Sequence, residues 1–234
     1  MKLWKTTLFT LPLLSLTIAA QADTLGGIYG SVDYWSIQGD YQDNRALDET
    51  LDIKRQGRAQ FALSVEHPIP LLPNVRLRHV NIDVDSKQQS LGQATYQVAL
   101  DNTDFIAYYE LLDNIISADV GFAAKRLSGD VSYAPTQHQL DISETLPMLY
   151  GSVGAKLPFT GLSAKAEALL TKYSNKQVSD VSAEIKYDFI DNILLDVGGK
   201  VGYRLLNIDL DKQQGDIDSK FRFDGPYLGL EAHF

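Results

Sequence analysis

The sequence predicts an all-β chain: an up-and-down antiparallel transmembrane β-barrel of about ten strands, with eight or twelve as the alternatives. Three observations lead there. Apolar or small residues alternate with polar ones at period two through most of the chain. The connections between these segments are short and long in turn, as in barrels with tight turns at one rim and larger loops at the other. Beyond the first two dozen residues, no apolar run reaches the roughly 20 residues that a spanning helix needs. A chain of this kind can enter a bilayer only as a closed barrel, where every backbone group finds a partner.

The first segment stands apart from the pattern. Lys2 and Lys5 open it, residues 6–19 carry no charge, and Ala20-Gln21-Ala22 is a small-x-small cleavage site. This order predicts a signal peptide over residues 1–22, removed to leave one barrel domain over residues 23–234. The apolar run is too short for a spanning helix and contains Pro12.

The strands then follow in order. Ile28, Gly30, Val32 and Tyr34 alternate with Tyr29, Ser31 and Asp33. Ala59, Phe61, Leu63 and Val65 alternate with Gln60, Ser64 and Glu66. Val75 and Leu77 alternate with Arg76 and Arg78, after which the apolar phase passes to Val80, Ile82 and Val84; this predicts a bulge near His79. Phe105, Ala107, Tyr109 and Leu111 form the next face, and residues 95–112 are long enough to conceal a break. Ile116, Ala118, Val120, Phe122 and Ala124 come next, then Leu149 to Leu157 and Leu162 to Leu170 at every second residue. Val181 to Phe189, Leu195 to Tyr203, and Leu228, Leu230, Ala232 and Phe234 complete the set.

Short turns are expected at residues 68–74, 113–114, 158–161 and 191–192. Longer polar loops are expected at 38–56, 85–94, 128–146, 175–180 and 211–219. An even strand number places both chain ends on the short-turn side. Tyr109 to Ile115 and Tyr187 to Ile193 echo one another, which suggests two equivalent hairpins turning at Asp-Asn.

Alternation alone does not say which face meets lipid. Small residues on the apolar face (Ala164, Ala166, Ala168, Gly199) would make a thin core but a smooth lipid surface. Aromatics gather at segment ends: Tyr34, Trp35, Tyr96, Tyr173 and Tyr203 towards the long loops, Tyr109, Phe159, Tyr187 and Phe189 towards the short turns. Two interfacial girdles are expected from them. The apolar face is therefore assigned to lipid and the polar face to the lumen.

The last strand ends on a terminal aromatic in phase with alternating apolar residues: Leu228, Leu230, Ala232 and Phe234. This looks like the C-terminal signal read by the barrel assembly machinery of the outer membrane. Residues 22–29 (Ala-Asp-Thr-Leu-Gly-Gly-Ile-Tyr) and 108–114 (Tyr-Tyr-Glu-Leu-Leu-Asp-Asn) carry a further likeness. Through them the mature chain resembles a family of small outer-membrane β-barrel proteins of Gram-negative bacteria. The resemblance implies fold and an outer-membrane location, and it implies no activity.

Composition narrows the chemistry. There is no cysteine, hence no disulfide framework, thiolate metal site or cysteine nucleophile. The net charge is −9, and without Lys2 and Lys5 the mature chain has 19 basic against 30 acidic residues, or −11. Nucleic acid, whose phosphates need a basic face, is not an expected partner. Expected partners are outer-membrane lipid, lipopolysaccharide and the assembly machinery, with the barrel a monomer.

No enzyme is expected. A Ser–His hydrolase needs hydroxyl and imidazole together with an orienting acid. None of His67, His79, His138 and His233 has a serine two residues later, and no Asp-x-His accompanies the Asp83/Asp85 pair. No metal site or cofactor is expected either: no two histidines have ligand spacing, and the acidic groups 40–52 and 209–218 lack the spacing of a calcium loop. What remains is the lumen. Arg76, Arg78, Glu66, Asp119, Lys165, Glu167, Glu184, Lys186, Asp196, Lys200 and Arg204 are the candidate lumen charges, joined by Asp33, Glu110, Lys125, Lys156, Asp188 and Glu231. They either pair across strands and plug the interior, or line a narrow path in which Arg76, Arg78, Lys200 and Arg204 steer anions. The expected role is structural or passive passage of small solutes, against a lipid-modifying enzyme or an adhesion barrel acting through acidic loops.

Overall fold

In the computed structural model ten strands close into one antiparallel up-and-down barrel. They are β1 (Ile28–Asp43), β2 (Leu51–Val65), β3 (Asn74–Asp85), β4 (Tyr96–Asp113), β5 (Ile116–Tyr133), β6 (His138–Leu157), β7 (Leu162–Tyr173), β8 (Lys176–Asp191), β9 (Asp196–Gln213) and β10 (Ile217–His233). The structure describes residues 26–43, 50–69, 71–86, 96–133, 138–192, 195–213 and 217–234. The expected signal segment lies outside them.

Each strand pairs with its sequence neighbour, and β1 closes on β10 through Tyr29 opposite His233 and Val32 opposite Leu230. At the seam Ile28 and Phe234 exchange both backbone hydrogen bonds at 3.0 Å. Both chain ends thus meet at one rim, the near rim. The row of residues level with Val32 reaches β6 at Leu157 by way of β10, β9, β8 and β7, and at Thr145 by way of β2 to β5, an offset of twelve residues (157 against 145). With ten strands this stagger tilts them by roughly 40° to the axis.

Strand faces follow the alternation. Towards the near rim the outward residues are apolar and bare: Val32, Phe61, Phe105, Phe122, Leu149, Ile185 and Leu228 are all about half exposed or more. A continuous apolar girdle of this size does not survive in water. On β7 it runs from Leu162 to Leu170, nine residues that rise roughly 23 Å at this tilt, close to the apolar band of membrane barrels. Tyr34 and Tyr203 mark its upper edge, and Tyr109, Phe159, Tyr187 and Phe189 its lower one, all exposed. Six of the nine expected girdle aromatics stand at these positions; Tyr173 lies past the girdle at the end of β7, and the side chain of Tyr96 lies outside the described residues.

Beyond the girdle the pattern inverts. On β3, Val75 and Leu77 point out while Val80, Ile82 and Val84 point in, fully buried. The sequence pattern predicts a bulge at His79, but the β3–β4 ladder runs without a register shift from Asn74 to Asp85. The strand keeps its phase and its surroundings change. Near the near rim lipid lies outside and charge inside. Near the far rim polar residues such as Asn81, Asp83 and Asp101 face outward, and the interior is an apolar core. Trp35 belongs to that core at 0 % exposure, not to the outer girdle.

The same inversion shortens the loops. Residues expected to be loops at 38–56, 128–146 and 211–219 are largely strand, because β1, β2, β5, β6, β9 and β10 continue past the girdle. The expected loop at 175–180 is a two-residue turn: Ser174 and Asn175 both have positive φ (49° and 63°), the mirror-image geometry that suits a hairpin. Residues 95–112 conceal no break; Tyr96–Asp113 is one strand.

One ladder is incomplete. The β2–β3 pairing stops at Gln60 opposite Val80, and only an isolated bridge, Ile53 to Ser86, lies beyond it. Between them residues 54–59 and 81–85 run side by side without ladder pairs. Side chains span the seam instead: Arg58 reaches Asp83 at 3.6 Å, and the Gln56 amide donates to Asp85 at 3.2 Å.

Candidate functional site: the lumen

Period-two alternation sends every second side chain of ten strands into one enclosed space, so residues far apart in sequence must neutralise one another there. The network centres on Asp180 of β8. Its carboxylate accepts from Arg78 of β3 at 2.8 Å, Lys125 of β5 at 2.8 Å and Arg204 of β9 at 2.7 Å. Asp104 of β4 accepts from Arg78 at 2.8 Å and pairs with Lys125 at 2.6 Å. Glu167 of β7 takes Arg78 at 2.8 Å, Arg76 at 2.6 Å and the Tyr150 hydroxyl at 3.2 Å. Asp180, Asp104, Lys125 and Arg204 are all fully buried.

A second group lies towards the near rim. Lys200 sits 3.2 Å from Asp33 and 3.6 Å from Glu184, which also accepts from the Tyr227 hydroxyl at 2.6 Å. Gln60 donates to Asp33 at 3.0 Å and accepts from Arg204, linking the two groups. Lys186 bridges Glu231 at 3.0 Å and Asp188 at 3.2 Å. Five cations (Arg76, Arg78, Lys125, Lys200, Arg204) thus face five carboxylates (Asp33, Asp104, Glu167, Asp180, Glu184). Ions taken out of water need this balance, since one left unpaired costs several kcal/mol.

The remaining expected lumen charges lie nearer the opening. Glu66 accepts from the Tyr108 hydroxyl at 2.6 Å, and Asp119 from Ser152 at 2.5 Å. Lys165 stands opposite Glu184 in the β7–β8 register. Asp196 is at the rim, 3.4 Å from His233, whose ring stacks on Tyr29 at 4.0 Å. Arg76, Arg78, Lys200 and Arg204, the four cations of the anion-path alternative, are each engaged by carboxylates.

Above the ionic layer the lumen is filled by Trp35, Ile37, Ile82, Leu100, Leu127, Leu146, Leu206 and Phe223, each at most 2 % exposed. Sequence reasoning missed this cap, and it missed Asp104 and Asp180. A signal for Asp180 existed: it is in phase with Ser182, Glu184 and Lys186, so prolonging that alternation by one step would have placed it inside. Asp104 is likewise out of phase with lipid-facing Phe105. Among the described residues no group of three or more His, Asp or Glu side chains is placed to hold a metal ion. One histidine–hydroxyl pair lies on the outer wall: His79 Nδ1 is 2.8 Å from Thr103 Oγ1.

No family model matches the chain, and no curated protein is similar to it in sequence. Among solved structures, several outer-membrane β-barrel proteins align with most of the chain at low identity. The outer membrane protease OmpT from Escherichia coli is 9 % identical, with 89 % of this chain and 97 % of that one covered and a TM-score of 0.46. The translocator domain of the autotransporter NalP from Neisseria meningitidis is 10 % identical, with 91 % and 89 % covered and a TM-score of 0.43. The transport unit of the autotransporter AIDA-I from Escherichia coli is 8 % identical, with 93 % and 92 % covered and a TM-score of 0.43.

Proposed function

We propose that this protein is an integral outer-membrane barrel with a sealed lumen and a structural role, displaying a rigid polar rim at the cell surface. The near rim, with its short turns and both chain ends, faces the periplasm, and the far rim faces outward. A basic, apolar and small-residue leader over residues 1–22 supports export. The outward-facing row Leu228, Leu230, Ala232 and Phe234 fits recognition by the assembly machinery, and the mature barrel is a monomer.

The observation that carries a sealed rather than conducting lumen is the triple engagement of Asp180 by Arg78, Lys125 and Arg204, roofed by the apolar cap. An eight-strand barrel is filled by side chains and a sixteen-strand one leaves a channel; ten strands, filled this way, belong with the former. Planar-bilayer recording tests it. A silent bilayer is expected. Unitary steps that vanish in Arg76→Glu combined with Arg78→Glu would establish a conducting path instead.

A further inference from the structure

We propose that the outer wall over β10 and β1 to β6 is a docking site for one phosphorylated glycolipid of the outer leaflet, the lipopolysaccharide class. The inference deepens the proposed outer-membrane location and rests on it. Two features of the wall meet at His79. Below it lies an apolar groove of about 480 Å³ in the lipid-facing surface. Gly30 and Ala232 floor the groove, Phe61, Leu77 and Leu230 wall it, and His79 is at its upper end. An added side-chain carbon at Gly30 would meet nothing within 4 Å, so the floor is open to the bilayer. From the level of His79 to that of Ala232 the groove spans roughly one leaflet of hydrocarbon, about 15 Å. That is the shape and polarity of an acyl-chain seat.

Above the groove runs a polar row. His79, Thr103, Arg126 and Thr145 are direct cross-strand neighbours on β3, β4, β5 and β6. The row immediately below them, Leu77, Phe105, Ala124 and Pro147, is apolar. The polar row climbs with the strand tilt out of the hydrocarbon into the headgroup layer. His79 is tied to Thr103 at 2.8 Å. The Arg126 guanidinium donates to Thr145 Oγ1 and Ser143 Oγ, each at 3.1 Å, which fixes its plane, and the residue is exposed. The one carboxylate in the adjoining outer row, Asp101, is engaged by Asn81 at 2.7 Å. A fixed arginine flanked by hydroxyls is built for phosphate and sugar oxygens, and an acyl seat that begins at His79, two strands along the same row, suits a lipid that carries both.

Native mass spectrometry of the detergent-solubilised barrel titrated with bis-phosphorylated lipid A tests this, with phosphatidylglycerol at equal concentration as comparator. Wild type is expected to retain one lipid A and at least tenfold less phosphatidylglycerol. Gly30→Trp, which fills the groove from an open position, and Arg126→Ala are each expected to weaken retention about tenfold. Equal retention of the two lipids, or undiminished lipid A binding by both variants, would overturn the proposal. Heat-modifiable migration and insertion into phosphatidylcholine vesicles are scored in parallel. A wild-type barrel that fails to insert would refute the membrane location itself, whereas one that inserts but retains no lipid A refutes the docking site alone.

Discussion

The indole of Trp35 lies over the guanidinium of Arg204, whose Cζ is 4.7 Å from the ring centroid. Its N–H donates to the Gly225 carbonyl at 3.1 Å. This contact joins the two materials that fill the barrel, the ion network below and the apolar cap above. Trp35→Ala should cost about 3–5 kcal/mol, the range for deleting a buried large aromatic. Guanidinium unfolding of the barrel in detergent, followed by its loss of heat-modifiable migration, measures it.

Asp180→Ala should be at least as damaging. It leaves Arg78, Lys125 and Arg204, all buried, with one carboxylate fewer, and breaking a buried pair costs about 3–5 kcal/mol. The same unfolding measurement applies. A loss below about 1 kcal/mol, the scale of an ordinary surface change, would show that the centre is hydrated and the clamp unimportant.

Ile82 and Asn81 are adjacent on β3 and face opposite sides of the wall above the girdle. Ile82→Lys should prevent stable folding or cost more than about 4 kcal/mol, while Asn81→Lys should fall within about 0.5 kcal/mol of wild type. A bulge at His79 would reverse this order, so the pair of variants tests the register directly.

Within the girdle the sense of the experiment changes. Val120 is outward and 46 % exposed within the girdle, between Ala118 and Phe122 on the same face of β5. Val120→Arg should destabilise the barrel in vesicles by about 2–4 kcal/mol, the cost of a cation at the midplane on the lipid face. In detergent, where the belt can deform around the side chain, the loss should be smaller. Equal losses in both media would place Val120 outside the hydrocarbon.

The interrupted β2–β3 ladder should be visible in hydrogen exchange. Amides of residues 81–85 on the β2 side and 54–59 are expected to exchange faster than those of the continuous β4–β5 ladder, because local opening there breaks fewer backbone bonds. Arg58→Ala, which removes the contact to Asp83, should speed them further while β4–β5 amides stay unchanged.

Barrel class and strand number were legible because alternation over nine residues has one simple explanation in a chain with no helical span. Lumen charges within the girdle, such as Arg78 and Lys200, were legible for the same reason: they alternate with lipid-facing apolar neighbours. The upper barrel was not. There Val80, Ile82 and Val84 continue the same strand with inside and outside exchanged, and period two cannot tell an environment change from a bulge. Polar residues on that outer surface imitate loop composition, which made strands look like connections at residues 128–146. Nor could one sequence show that Asp104, Asp180 and Lys125 converge, since their meeting depends on the twelve-residue stagger and not on spacing along the chain.

The upward extension of the strands also changes what the cell surface would meet. From Arg126 to Tyr133, β5 climbs for eight residues past the lipid boundary, roughly 20 Å at this tilt. The far ends of the strands therefore stand on a stiff pedestal with its own oily interior, raised above the lipid boundary.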